Sequence, residues 1–382
     1  MSEATPTEAT ARPAWVTVDL GAIRANVRAL AAVAAPAPLL VAVKADAYGH
    51  GAAPVARAVL EAGATHLGVA TVDEGVDLRA AGLDAPIVVL SEPAPAAAPV
   101  VVAHRLTPFV YTAPGIAALG AAAGAAGVRL PVHLKVDTGM HRVGCLPAEA
   151  LSLAEAVLAD ERLELEGVAT HLASADLDDA SVSVAQLDAF DTVLTEITAR
   201  VGHRPVAHAA NSAGVLAFPR ARYDLVRVGI SVYGLAPAPS FVDAVALTPA
   251  LSVHARVSLV KDLPAGAAVS YGGRHVLERA GRIATVPVGY ADGVPRDYGL
   301  AGGEVLIGGR RHPIAGTVTM DQLMVDVGDA DVQVGDAVVL LGRQGDEEVG
   351  AQEWATRLGT ITNEIVTRIG PRLPRRYLGA GS

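Results

Sequence analysis

The sequence predicts an α/β protein: a (β/α)8 barrel of the TIM type followed by a mainly β C-terminal domain. The first observation is a rhythm between about residues 38 and 234, where eight continuous apolar runs rich in Val, Ile and Leu alternate with turn signals and Ala-rich stretches. Strands apolar on both faces belong in parallel sheets covered by helices. Eight of them is the number that closes a barrel, although a doubly wound open sheet has the same spacing. The second observation is a change of texture after about residue 244, to close-set alternating strands with few helical stretches.

Taken in chain order, residues 1–13 are expected as a flexible tail, since MSEATPTEATAR is polar throughout. Glu3 and Glu8 stand where a signal peptide needs a basic start and an apolar stretch. AWVTVDL, at about 14–20, alternates and reads as a strand that can pair with the distant C-terminal domain. GAIRANVRALAAV is a helix. The eight barrel runs are then LLVAVKAD, HLGVAT, PIVVLSE, LTPFVYT, PVHLKVDTG, LEGVATHLA, PVAHAANS and DLVRVGI. The barrel domain is placed at 14–244 and the β-rich domain at 245–382. In the latter, LSVHARVSLVKDL, AVSYGG, GRIATVPVGYADG, EVLIGGRRHPIAG and DAVVLLG read as strands. AQEWATRLG and TNEIVTRIG read as closing helices ended by Pro371.

Composition narrows the class. With 382 residues, 51% of them apolar and 18% charged, the chain has material for one large domain and a smaller one. Thirty basic against forty acidic residues give a net charge of −10, which disfavours a phosphate backbone as partner, so no nucleic acid is expected. Cys145 is the single cysteine and cannot form an internal disulfide. No apolar run approaches the roughly 20 residues of a membrane span. The expected compartment is the cytoplasm.

Chemistry in a barrel gathers where strands end, and the polar residues follow that rule. Lys44 ends the first run, where a lysine is either a surface residue opening a loop or an imine-forming amine of lowered pKa. Tyr48, Gly49 and Gly51 follow it, offering a phenol and a backbone that an anion can approach. The fifth run brings Lys135, Asp137 and Arg142 around a Gly turn. Arg142 has the fixed fork of donors that suits an oxyanion or carboxylate, while Lys135, costly to bury without a partner, is expected to form a salt bridge with Asp137 or another acid. The sixth run ends in His171, and the seventh in Asn211 and Ser212. The eighth holds Arg227 followed by Gly229 and Ile230. Phosphate sites in barrels form at the last two loops. A lysine, a phosphate cradle, a flat ring partner and a nearby arginine together suit pyridoxal phosphate.

AVKADAYGHG, HLKVDTGMHRVG, THLASAD, HAANSAG, LVRVGISVYGL, AVSYGG, VPVGYADG and GTVTMDQ occur in this order. From about Trp15 to Arg375 the sequence thereby resembles the alanine racemases, fold-type III pyridoxal-phosphate enzymes. The resemblance implies racemisation of L-alanine and D-alanine with pyridoxal 5'-phosphate, and D-alanine for peptidoglycan. Lys44 then resembles the lysine that binds the cofactor and acts as base toward D-alanine. Tyr48, Asn211, Ser212, Gly229 and Ile230 resemble cofactor ligands, His171 the histidine stacked on the ring, and Arg227 the arginine facing the pyridine nitrogen. Arg142 resembles the substrate-carboxylate arginine, and Lys135 the often carbamylated lysine that supports it. Tyr271 resembles the second base, contributed by the other subunit of a homodimer, and Met320, Asp321 and Tyr290 belong to the same wall. Pro371 stands where many relatives have a phosphate-touching tyrosine, and Thr319 where many have cysteine.

Other readings remain: a racemase of serine or another amino acid, a decarboxylase on the same barrel, or a carrier of the cofactor. A metal-dependent barrel hydrolase using His133, His171 and a carbamylated Lys135 lacks a close His-x-His pair, and no metal is expected.

Overall fold

The computed structural model describes residues 12–380, so residues 1–11 of the expected tail lie outside the described residues. Gly21–Thr248 is one compact unit, while residues 12–20 join the chain from Pro249 in the other. The division differs from the 14–244 boundary at its first strand. β1 (Ala14–Asp19) pairs within the second unit: Val16 lies opposite Val253 and Val18 opposite Leu251. Its alternation explains this, because Ala14, Val16 and Val18 are buried while the residues between them are half-buried. Arg12, counted with the tail, is instead tied down. Its guanidinium grips the fully buried carboxylate of Asp292, and its Nε donates to the Pro287 carbonyl at 2.8 Å.

The barrel strands are β2 (Leu39–Ala42), β3 (His66–Val69), β4 (Ile87–Val89), β5 (Thr107–Val110), β6 (Leu130–Lys135), β7 (Leu163–Ala169), β8 (Val206–His208) and β9 (Val226–Val228). Six fall within one of the eight apolar runs, and β6 and β7 begin one and two residues ahead of theirs. They form one parallel sheet in the order β8-β7-β6-β5-β4-β3-β2-β9. The pairing of β2 with β9 curls the sheet round on itself, and this excludes the doubly wound alternative. The seam between β8 and β9 is held by single bonds, Asp224 N–H to Ala207 O and Arg227 N–H to Ala210 O, both 3.0 Å. Leu40, Val88, Phe109, Ala169 and Leu225 form a core inside the sheet. All four residues of β2 and of β5 are buried, as expected for strands covered on both faces.

The second unit contributes β10 (Leu251–Arg256), β11 (Leu259–Leu263), β12 (Ala268–Val269), β13 (His275–Val276), β14 (Gly281–Val286), β15 (Glu304–Ile307), β16 (Arg310–Pro313), β17 (Leu323–Gly328), β18 (Ala337–Gln344), β19 (Glu347–Val349) and β20 (Arg375–Leu378). The largest sheet runs β16-β15-β18-β10-β1-β20, with β19 on β18; β11-β14-β17 and β12-β13 are separate. The run LSVHARVSLVKDL is therefore two strands in two sheets. It changes partner at Val257 and Ser258, whose N–H groups donate to Asp336 O and Thr285 O. The helices Ala351–Leu358 and Thr362–Thr367 match the two closing segments. No helix among the described residues is long and apolar enough to cross a membrane.

Candidate active site

Immediately after β2 the backbone turns left-handed. Ala45, Asp46, Ala47 and Tyr48 have φ of 51°, 52°, 52° and 54°, a conformation that costs an L-residue roughly 1–2 kcal/mol each. Such strain persists only where surrounding contacts fix it. Glu74 Oε1 accepts from Ala45 N–H at 2.7 Å, Asp46 Oδ1 accepts from Ala52 N–H at 2.7 Å, and Val43 O accepts from Ala47 N–H at 2.8 Å. Glu74 is itself fixed in the capping box of the helix Val72–Ala80, with Oε2 accepting from Ala70 and Thr71. The consequence is a rigid mount for Lys44 and Tyr48 at the two ends of one turn.

Burial lowers the pKa of the Lys44 amine, and the charge of Arg142 lowers it further against the opposing pull of Glu74. A larger neutral fraction makes it a better nucleophile and base. Tyr48 is pushed up to about 12 by burial, so its hydroxyl stays a donor. Its ring lies 4.9 Å from that of Tyr233, whose hydroxyl donates to Ala42 O at 2.8 Å. A Cβ at Gly229 would stand 2.7 Å from the Tyr48 hydroxyl. Only glycine fits there without displacing the ring. The Gly229 N–H donates to Ser212 Oγ at 2.9 Å, so Tyr48, Ser212 and Gly229 converge at one point, with Ile230 next in the chain. Ser212 opens the helix Ser212–Ala217; Asn211 caps it through Gly214 N–H at 2.9 Å and donates to Leu172 O at 3.3 Å.

Arg227 on β9 is buried. It donates to the carbonyls of His208, Ala209 and Thr170 at 2.9, 2.9 and 2.6 Å, to His208 Nδ1 at 3.0 Å and to His171 Nδ1 at 3.1 Å. Burial, then the charges of Arg227, Lys135, Arg142 and Lys44, hold His171 neutral. With Nδ1 accepting from Arg227, its ring proton sits on Nε2. Lys135 does not pair with Asp137. Its Nζ reaches the Val136 carbonyl at 3.5 Å, and among the described residues it makes no ion pair, while Asp137 Oδ1 accepts from Gly139, Met140 and His141 N–H at 3.0 Å each. Burial and the positive charges of Arg227 and Arg142 push the Lys135 amine well below its usual range, with Asp137 opposing. Arg142 is exposed on the same loop.

The remaining candidates lie in the second unit. Tyr271, Met320 and Tyr290 are 67%, 52% and 39% exposed. Tyr271 follows Ser270, whose φ is 64° and whose hydroxyl donates to Thr317 O at 2.6 Å. The Tyr290 and Met320 turns are joined through Tyr290 N–H to Thr319 O and Ala291 N–H to Met320 O, both 3.0 Å. Thr319 donates its hydroxyl to Gln322 O at 2.7 Å. Arg372, after Pro371, holds Asp321 at 2.6 Å.

Sequence reasoning does not single out Glu74 or His208. Glu74 is signalled by the Thr-x-x-Glu spacing of a capping box, and His208 by an imidazole within an otherwise apolar run. Among the described residues no group of three or more His, Cys, Asp and Glu side chains could hold a metal. Both ring nitrogens of His133 are instead engaged, by His208 and Glu166 at 2.8 Å each.

Residues 18–237 match the family model of the alanine racemase N-terminal domain, and residues 250–377 that of its C-terminal domain. The chain belongs to the alanine racemase family. The alanine racemase of Symbiobacterium thermophilum is 49% identical, over 96% of this chain and 98% of the relative. The crystal structure of alanine racemase from Streptomyces lavendulae aligns with a TM-score of 0.92 at 41% identity, covering 97% of this chain and 98% of the other. The alanine racemase of Bartonella henselae with covalently bound pyridoxal phosphate aligns with a TM-score of 0.86 at 31% identity, covering 96% and 99%. These likenesses identify the chain as an enzyme of alanine racemisation.

Proposed function

We propose that the barrel binds pyridoxal 5'-phosphate and that the enzyme interconverts L-alanine and D-alanine with two bases, Lys44 and the Tyr271 of a second copy. The observation that carries this reading is the convergence of Tyr48, Ser212 and Gly229 at the turn that Lys44 opens, so close that a Cβ at Gly229 would strike the Tyr48 hydroxyl. The residues fit the cofactor. The two hydroxyls suit its phosphate, the Lys44 amine its aldehyde, His171 its ring face and Arg227 its pyridine nitrogen. When bound, the cofactor supplies an electron sink that acidifies the substrate α-carbon.

Inverting a stereocentre requires a base on each face. Lys44, with its lowered pKa, takes or returns the proton on one face. Tyr271 of the second copy does so on the other. Arg142 binds the substrate carboxylate through its fork of donors. A neutral Lys135 amine flanked by cations is suited to reversible carbamylation, which would give Arg142 and Arg227 an anionic neighbour. Arg227, charged at any working pH, keeps the pyridine nitrogen unprotonated. The exposure of Tyr271, Met320 and Tyr290 supports a homodimer in which each copy covers the other's site. D-alanine made this way would serve peptidoglycan synthesis.

Purified protein tests the reading by its visible absorbance before and after borohydride, with L-alanine to D-alanine conversion on the same sample. A visible band, reduction onto Lys44 and racemisation are expected together. A band without alanine racemisation would point to a serine racemase or a decarboxylase, and no band after reconstitution with the cofactor would overturn the reading.

A further inference from the structure

The guanidinium of Arg227 is buried and, among the described residues, makes no ion pair, yet a buried charge without a counter-charge is costly. Its hydrogen bonds lead to one. Arg227 Nη1 lies 3.0 Å from His208 Nδ1; His208 Nε2 lies 2.8 Å from His133 Nδ1; His133 Nε2 lies 2.8 Å from Glu166 Oε2. The chain therefore runs from β9 through β8 and β6 to β7, across the barrel interior. It ends at a carboxylate that is half exposed, within electrostatic reach of His66, the first residue of β3. Phe109 flanks both imidazoles, with ring centroids 6.2 Å from His133 and 5.8 Å from His208. Gly167, beside Glu166, makes the space, since a Cβ there would lie 2.8 Å from His133 Nδ1.

The two ends fix the direction of every bond. Arginine can only donate and a carboxylate can only accept. His208 must then accept at Nδ1 and donate from Nε2, and His133 must do the same. A proton added to either ring would set donor against donor, at Arg227 for His208 or at His208 for His133. Both rings are thus neutral Nε2–H tautomers, and three donations point from the buried cation toward Glu166.

We propose that Glu166 is a positioning residue of this enzyme: through His133 and His208 it holds Arg227 in place and supplies the distant counter-charge of its guanidinium. The role of Arg227 toward the cofactor rests on the function proposed above, whereas the chain itself is a property of these residues alone.

Holoenzyme with 15N-labelled histidine tests the proposal by NMR, together with steady-state racemisation. Wild-type His133 and His208 are expected as neutral Nε2–H tautomers. Glu166→Leu removes the acceptor, so His133 should lose its single tautomer and kcat should fall on the order of tenfold, the equivalent of one charged hydrogen bond, with KM little changed. Glu166→Gln restores an acceptor oxygen at the same place but not the charge, so it should recover the tautomers and only part of kcat. A different tautomer or an imidazolium at either ring of the wild type overturns the proposal. So does Glu166→Leu with wild-type ring signals and wild-type kcat. The ring signals need no racemisation to be read, so a failure of the proposed function leaves them as an independent answer.

Discussion

The closest approach in the proposed phosphate cradle is that of Gly229 to Tyr48, and it supports a quantitative prediction. A Cβ at Gly229 would sit 2.7 Å from the Tyr48 hydroxyl, 3.3 Å from its Cζ and 3.8 Å from Ala42 Cβ. The phenol has no ready retreat, because its ring packs on Tyr233, itself bonded to Ala42 O. Overpacking of a rigid site costs typically 1–3 kcal/mol, so Gly229→Ala should weaken pyridoxal phosphate binding by about 5- to 150-fold. Tyr48→Phe removes a hydroxyl donor to a charged phosphate, about 1.5–3 kcal/mol, but it also removes the atom that the new methyl strikes. The double variant should therefore bind nearly as well as Tyr48→Phe alone, with only the contact at Cζ left to relieve. Cofactor titration of the reconstituted enzyme, followed by absorbance, gives all four affinities of the cycle. Costs that add to within about 0.5 kcal/mol would refute the steric argument, and an undiminished affinity in Gly229→Ala would remove Gly229 from the cradle.

Other consequences are testable in the same way. Glu74→Gln leaves one amide oxygen where two carboxylate oxygens now serve three N–H groups; a loss of about 1–2 kcal/mol is expected for these partly exposed bonds, read as a lower Tm and faster amide exchange at Ala45. Lys135 has a folded pKa well below its usual 10.5, so the unfolded chain binds more protons between those two values. Stability of the cofactor-free protein should then rise with pH from the folded pKa toward about 9, where Cys145, shifted upward, begins to oppose it. Lys135→Met should flatten that slope, and an unchanged slope would show the amine to be charged in the fold. Racemase activity should fall on dilution in step with dimer dissociation measured by sedimentation, and a fully active monomer would rule out Tyr271 as the second base.

How far the sequence carries the fold and the site depends on whether a signal is local. The eight barrel strands are legible because a strand buried on both faces must be apolar along its whole length, and no partner need be known to see it. β1 is legible as a strand for its alternation, but its neighbours β10 and β20 lie more than 200 residues away, and only register identifies them. The site divides along the same line. Lys44, Tyr48 and Gly229 stand in short motifs, yet the left-handed turn that mounts Lys44 is held by Glu74, some 30 residues on, and it runs through Ala45, Asp46, Ala47 and Tyr48 before glycine enters at Gly49. Gly49 and Gly51 signal only its end, since Ala, Asp and Tyr adopt that conformation only under tertiary constraint. His133 and His208 show a related limit. Each is visible as a polar residue in an apolar strand, which signals a buried partner, but a single imidazole reads equally as metal ligand, stacking ring or structural donor. Its partners decide among these, and they come from a strand pairing and a lumen that the sequence does not display. What separates these readings is topology, which brings His133 of β6 and His208 of β8 to 2.8 Å of each other in one interior.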